Sequence, residues 1–406
     1  MSAPSAAARR AVSATGAGPA AADGRARREI FESVAGIAEA LEADAVRADA
    51  LRRLPSTSVD ALRGAGLLAL KVPAELGGLE ADPALQFEVF EQVAYHSAPA
   101  GWCCFIYADS AGLATARLPA AGLARYLSGR DVPVTCGGGG LRPGTLVTED
   151  GGYRLTGRWG YGSGIHGAAW VLVPGHLAAG PGHRRQVRTC VVPKAALEVG
   201  DAWDVIGLRG TGSEDFAADD VYVPEEMTFS MAEPPERGGP LQRLGIAGYL
   251  GHAVPAVAVG VARRVLDEVT AMAATKSRGY TRRAPLAERS VFQSFLGEAD
   301  QALEAVRALM LANSATLLEG VRRHGFSPPA NEADVRAAGA FAVRTATRVV
   351  GDALRFAGGE AAQANHLVER SLRDLHMAGT HMLVSEAAYE NHGQFLLGLA
   401  GADPLA

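Results

Sequence analysis

The sequence predicts an α+β chain built as three blocks, helical, then β, then helical. Three observations carry this. Apolar residues recur at helical spacing from Glu29 to about Arg130, and short β-branched runs divided by Gly, Pro and Asp begin near Val132. Long amphipathic stretches resume after about Pro240 and continue to the end. The expected organisation is a disordered tail over 1–27, a helical domain over 28–131, a β-barrel-like domain over 132–235 and a helical bundle over 236–406.

Residues 1–27 are Ala, Gly, Ser and Arg without apolar periodicity, the composition of an unstructured segment. Arg9–Arg10 could open a twin-arginine export signal, but the stretch that follows lacks a leucine-rich apolar core. Ile30, Val34, Ile37, Ala38 and Leu41 then mark a helix. A short helix follows Ser58 and ends at Gly64, and Val72 to Gly78 is loop chemistry. Asp82 and Pro83 open the next helix, with Phe87, Phe90 and Val93 on one face. GWCCFIYADSAGLATARL reads as a buried helix, and PAAGLARYLSG as another.

In the second block VPVTCGGG, GTLVTEDGGYRLTGRWGYGSG, AAWVLVPGHL, RTCVVPK and DDVYVPEE are short strands at short intervals. They predict an antiparallel domain, interrupted by a loop from Ala178 to Arg185. In the third block, helices are expected over Leu244–Ser277, Leu286–His324, Asn331–Phe356 and Asn365–Leu397. Short Gly- or Pro-containing breaks join them, the pattern of an antiparallel four-helix bundle.

Composition narrows the function. Lys+Arg number 39 against 44 Asp+Glu, a net charge of −5, so no basic surplus exists to neutralise nucleic-acid phosphates. No apolar run approaches the ~18–20 residues of a membrane span, so a membrane partner is not expected. The four cysteines (Cys103, Cys104, Cys136 and Cys190) are too few for a disulfide scaffold, and none has metal-ligand spacing. Reduced, buried thiols in a cytoplasm are expected, with Cys103–Cys104 as packing residues and no metal site.

Four segments resemble a known family: VPAELGG (Val72 to Gly78), GYRLTGRWGYGSGIHGAAW (Gly152 to Trp170), GLRGTGSEDFAADDVYVPEE (Gly207 to Glu226) and ERSLRDLHMAGTH (Glu369 to His381). Each is weak alone, but in this order across three blocks they resemble the acyl-CoA dehydrogenase fold from about Glu29 onward. That likeness implies an N-terminal helical domain, a central antiparallel β-domain and a C-terminal four-helix bundle. Dehydrogenases of the family commonly carry a catalytic glutamate in a Tyr-Glu-Gly step, eight residues after an Arg-Asp pair. Here Met382 stands eight residues after Arg373–Asp374, and His381 stands where the tyrosine would be. Tyr389–Glu390 lies two turns too late and is followed by Asn391. The R-D-L-H-x-A-x-x-H run, the segment WGYGSG from Trp159 to Gly164 and the tail GQFLLGLAGADPLA instead resemble the two-component flavin-dependent monooxygenases.

That branch implies reduced FAD or FMN (FADH2 or FMNH2) from a separate flavin reductase, O2, and a C4a-hydroperoxyflavin that hydroxylates a small apolar substrate. An aromatic, phenolic or indole-like substrate and a homotetramer are implied. The alternatives are N-oxygenation of an amino sugar or amine, acyl-CoA dehydrogenation with Glu390 recruited, and a non-catalytic scaffold. Such a site must be dry and needs one titratable group near the substrate. His381 fits, because an imidazole with an unperturbed pKa of ~6.5 exchanges protons near neutrality.

By the same resemblance Ser163 faces flavin N5 and C4a, Gly162 and Gly164 allow close approach, and Trp159 and Tyr161 flank the isoalloxazine or the substrate cavity. Arg278 is similar to an arginine that reaches a neighbouring subunit's flavin pyrophosphate, although Thr281 breaks the family's Arg-x-x-Phe pattern. Gly358–Gly359 resembles the paired glycines beside a dinucleotide tail, but the usual preceding glutamine is missing, which leaves FAD or FMN open. An exposed cluster of Arg278, Arg282 and Arg283 is the rival reading. Trp102, Phe105 and Tyr107 are expected to wall the substrate pocket, with His376 beside it or supporting His381. Arg373–Asp374 is expected to form a buried ion pair, His392 to be structural, and Gly137 to Gly140 to be a flexible strand or loop.

Overall fold

A computed structural model describes residues 20–129, 131–138, 143–177, 186–277 and 284–405. The loop Ala178–Arg185, the positions Arg278, Thr281, Arg282 and Arg283, and Gly139–Gly140 lie outside the described residues. The first block holds α1 (Ala20–Leu51), α2 (Ser56–Gly64), α3 (Pro83–His96), α4 (Ala98–Arg117) and α5 (Ala120–Tyr126). Helix α1 begins inside the segment expected to be a tail. Its first turns are rich in Ala and Arg, both good helix formers. Arg25 pairs with Glu29 one turn on at 2.7 Å, and Arg27 reaches Glu88 on α3.

Helix α3 starts where the Asp82 carboxylate accepts the Leu85 N–H at 2.7 Å, with Pro83 in the first turn where its missing N–H costs nothing. Helix α4 is buried on all sides; of its residues only Ile106 and Leu113 fall short of full burial.

The second block contains β1 (Thr135–Gly137), β2 (Gly144–Glu149), β3 (Gly152–Gly162), β4 (Trp170–Leu177), β5 (Val187–Pro193), β6 (Glu198–Val199), β7 (Glu214–Pro224) and β8 (Thr228–Phe229). They form one sheet in the order β6-β7-β3-β2-β4-β5-β8, with β1 beside β4. Most pairs are antiparallel, but β1 and β2 both run parallel to β4, so the sheet is mixed where an antiparallel one was expected. Alternation of side chains reports which face a residue takes and is blind to strand direction.

The third block holds α6 (Ile246–Leu250), α7 (Ala253–Ala273), α8 (Ser290–His324), α9 (Pro329–Ala357), α10 (Leu367–Ala378) and α11 (Ala387–Leu396). The span Ile246–Ala273 is long and apolar enough to cross a membrane, contrary to the expectation that no run is. Its most apolar window is 89% buried within the protein, so this stretch is the core of the bundle. The single helix expected over Asn365–Leu397 is two, parted between Gly379 and Glu386 around a short 3-10 turn, Met382–Val384. Helix α10 stops at Gly379, the poorest helix former short of proline, and His381 caps the turn that follows.

Among the internal contacts that join the blocks, two stand at close approach. Gly207 lies so close to α10 that a Cβ there would sit 2.0 Å from the Arg373 carbonyl oxygen. The Lys71 ammonium, wholly buried, pairs with Asp109 of α4 and donates to the Tyr249 carbonyl of α6 at 2.7 Å. It also lies 3.9 Å from the Tyr249 ring centre. Burial lowers the Lys71 pKa and raises that of Asp109, so each partner makes the other's charge tolerable. Removing one partner strands a buried charge. Lys71→Met should cost about 3–5 kcal/mol in urea unfolding, and adding Asp109→Leu should restore most of it. A single variant as stable as the parent would refute the pairing.

Candidate active site

The site forms where the three blocks meet. Strand β3 ends at Gly162, and Ser163 follows in a tight turn closed by Gly164, whose φ of 74° suits a residue without Cβ. A Cβ on Gly164 would strike the Tyr107 ring at 2.6 Å. The Ser163 hydroxyl is buried. It accepts the Trp102 indole N–H from α4 at 3.1 Å and lies 2.7 Å from the Ser213 hydroxyl. The His381 imidazole, from the third block, meets the Trp102 ring edge to face with centres 5.6 Å apart. The Phe105 ring centre lies 5.1 Å from that of Trp102, with the two rings tilted.

The predicted residues thus divide. Ser163, Trp102, Phe105 and His381 come together. Tyr161 lies at the same turn and is 67% exposed, near Trp203 at 6.2 Å between ring centres. Tyr107, expected in the pocket wall, is instead a support behind the turn: wholly buried, its hydroxyl donates to the Gly164 carbonyl at 2.9 Å. Trp159, expected beside the flavin, packs in the β block. It stacks on Phe216 at 5.6 Å, and its indole N–H donates to the Pro174 carbonyl. His376 is exposed on α10, and no described contact joins it to Trp102, Ser163 or His381.

Gly358 closes α9 with φ 77°, its N–H donating to the Leu354 carbonyl at 2.9 Å, and Gly359 opens the short turn that follows. Neither glycine has a described contact with the Ser163 group. Arg278 is outside the described residues.

One expectation about neighbouring charges changes. Arg373 and Asp374 do not pair with each other. The Arg373 guanidinium reaches Asp49 on α1 at 3.3 Å, Glu369, and the Ile206 carbonyl at 2.9 Å. The buried Asp374 carboxylate accepts the Leu208 N–H at 2.6 Å. Successive residues on a helix point in different directions, so adjacency in sequence did not bring these two together. Burial pushes the Asp374 carboxyl up to about 6. With the folded value above its ordinary 3.8, its contribution to stability declines as pH rises between the two. His392 sits 2.9 Å from Asp334, and Glu390 is exposed on α11. All four cysteines are free and buried.

Sequence reasoning missed Thr211 and Ser213, the neighbours of Ser163. The GLRGTGS segment carried the signal, but hydroxyl residues among glycines mark any turn.

His381 is held in one protonation state. Its Nδ1 accepts the Leu383 N–H at 3.3 Å, and burial pulls its pKa down to about 4. A neutral imidazole whose Nδ1 accepts carries its proton on Nε2, so this group presents a donor.

Residues 251–386 match the family described as acyl-CoA dehydrogenase, C-terminal domain. XiaF from Streptomyces sp., solved with FADH2 and glycerol, superposes with a TM-score of 0.86 at 23% identity, covering 94% of this chain and 98% of that one. The chain has the acyl-CoA dehydrogenase fold. The indole-3-acetate monooxygenase of Pseudomonas putida is 28% identical over 86% of this chain and 89% of its own length. The FADH(2)-dependent resorcinol hydroxylase oxygenase component of a Rhizobium is 26% identical over 90% and 93%. The relatives matched over most of this chain are named monooxygenases and hydroxylases, and the chain is similar to them over nearly its whole length.

The protonation state is directly measurable. The His381 imidazole should titrate near pH 4 in its NMR chemical shifts, remaining neutral across pH 5–8. A midpoint near the free value of ~6.5 would remove the argument from burial.

Proposed function

We propose that this chain hydroxylates a small aromatic compound, phenolic or indole-like, using O2 and reduced FAD or FMN delivered by a separate reductase. The observation that carries this reading is the meeting of Ser163, Trp102 and His381, one from each block, at the turn after β3. Reduced flavin, when bound, supplies the activation of O2.

The residues present fit such a group. Ser163 has an acceptor position filled by no described donor, Tyr161 offers an exposed aromatic face, and Gly164 lets backbone approach closely. Ser163, Gly164 and Tyr161 would hold the flavin. Trp102 and Phe105 would orient an aromatic substrate through ring contacts and keep water from it. His381, neutral and protonated on Nε2, would donate a hydrogen bond to a substrate oxygen and hold that proton in place. On this reading it acts as a donor first, rather than as the base that would deprotonate a phenol.

Assembly as a homotetramer is part of the proposal. Phe341, 43% exposed on α9, lines a groove of about 310 Å3 with Ala302, Val306 and Arg344, and Leu309 is 40% exposed on α8. An apolar face of this kind on long helices suits a second copy. A cytoplasmic location is supported by the four unpaired, buried thiols.

With a flavin reductase, NADH, O2 and a panel of phenols and indoles, the protein should yield hydroxylated product in excess of free peroxide. His381→Ala should lower that yield at least about tenfold, on the scale of a positioned proton donor. Peroxide alone from every compound, or reduction of bound flavin by an acyl-CoA, would defeat the reading. Light scattering should give the mass of four chains, and Phe341→Glu should lower it; a monomeric parent would discard the tetramer.

A further inference from the structure

Arg336 on α9 is 3% exposed, and among the described residues its guanidinium pairs with no carboxylate. A cation so buried must find acceptors within the protein. It finds two backbone carbonyls. Nη2 donates to the Met382 oxygen at 2.9 Å and Nη1 to the Pro404 oxygen at 2.6 Å. Both nitrogens belong to one rigid, planar fork, so the two carbonyls are held at a set separation from each other and from α9.

Met382 directly follows His381, and its carbonyl belongs to the peptide unit that carries the Leu383 N–H. That N–H donates to His381 Nδ1 at 3.3 Å. A peptide unit is planar, so whatever fixes the direction of its C=O also fixes the direction of its N–H. Arg336 on the oxygen side therefore aims the donor that meets the imidazole on the other side. A cation on the oxygen also polarises the unit and strengthens that donor. The remaining hydrogen bonds described for residues 379–385 stay within four positions, including one from Ser385 Oγ to the same Met382 oxygen at 3.0 Å. The Leu383 and Val384 side chains are buried and seat the turn, but apolar contact has no direction.

Resting on the reading of His381 as a hydrogen-bond donor, we propose that Arg336 is a positioning residue. Through the peptide between Met382 and Leu383 it sets the ring orientation of His381 and keeps the ring proton on Nε2. Without the guanidinium that peptide can rotate its N–H away from Nδ1. The imidazole is then free to carry its proton on either nitrogen and to meet water. An ammonium at position 336 is a single point of charge and does not span both carbonyls.

The first measurement needs neither flavin nor substrate. With histidine selectively labelled in the full-length protein, nitrogen chemical shifts report which His381 nitrogen bears the proton and the pH at which the ring titrates. In the parent the Nε2–H form should predominate, with a midpoint near pH 4. Arg336→Met should bring in the Nδ1–H form and raise the midpoint toward the free value of ~6.5. Arg336→Lys should shift both readings in the same direction by less. A merely structural arginine would lower the unfolding midpoint and leave both readings of the folded protein unchanged. The second measurement is a double-mutant cycle on the ratio of hydroxylated product to peroxide. Arg336→Met should lower that ratio at least about threefold, and should lower it no further in a protein that already carries His381→Ala.

A folded variant with the parental tautomer and midpoint overturns the proposal, and so does a loss that adds in full to that of His381→Ala. If Arg336→Met fails to fold, Arg336→Lys is judged by the same criteria. A parent whose His381 proton already sits on Nδ1 overturns this proposal together with the donor role. If no aromatic compound is hydroxylated, the functional reading fails, while the nitrogen shifts still decide the role of Arg336.

Discussion

Helix α4 has no side that faces water, and the rest of the structure is arranged around that fact. An unpaired polar group in such a place costs several times what a satisfied one contributes, so its polar side chains must find partners in other elements or in the helix itself. Trp102 finds Ser163, Tyr107 finds the Gly164 carbonyl, Asp109 finds Lys71, and Arg117 finds the Glu233 carbonyl. Thr115 turns back to the Ala111 carbonyl. Most of these partners lie in the β block or the loops beside it. Docking of the blocks and construction of the site are therefore one packing problem, and the indole N–H that orients Ser163 is also a bond that holds the β block on.

The third block is seated by a second set of contacts with the same logic. The Leu208 N–H on the buried Asp374, the Arg373 bridge to Asp49 and the missing Cβ of Gly207 clamp α10 against both α1 and the loop before β7. His381 begins the turn immediately after that clamp, so its ring position is inherited from α10. Further inside, His252 on the same block contacts Gln86 at 2.7 Å, with burial holding the imidazole well below its usual pKa and therefore neutral. Lys71 adds to that effect, since a second cation nearby disfavours protonation. The interior between α3, α4 and α7 thus carries one ammonium, paired, beside a histidine that stays uncharged.

What the sequence made legible follows from which interactions are local. The order of the blocks, the Asp82–Pro83 helix start and the buried character of GWCCFIYADSAGLATAR depend on periodicity and capping within a few residues. The parallel pairing of β1 and β2 with β4 depends on chain reversals elsewhere, and the helix broken after Gly379 looks continuous because its apolar spacing persists through Leu383 and Val384. At the site, Ser163, Trp102 and His381 stood out through resemblance and residue type. Their contacts are between blocks, and no spacing rule encodes those. The separation of Arg373 from Asp374, and the hydroxyl pair Thr211 and Ser213, were hidden for the same reason.

The different fates of Trp159 and Tyr161 show how a single extra residue builds the site. In a regular strand Trp159, Tyr161 and Ser163 would share one face, because side chains alternate with period two. Trp159 pairs with Phe216 and Gly162 with Glu214, so three steps on β3 oppose two on β7, which is a bulge. Tyr161 absorbs it with φ 60°, a left-handed conformation that costs a non-glycine residue about 1–3 kcal/mol. The bulge resets the alternation. Trp159 stays in the β core, Tyr161 swings outward to 67% exposure, and Ser163, whose N–H bonds the Tyr161 carbonyl at 2.8 Å, turns in toward Trp102. Without the extra residue, the tryptophan and the serine would have to share one environment. The strain at Tyr161 is what lets a core residue of the strand and a site residue in the turn after it lie four positions apart.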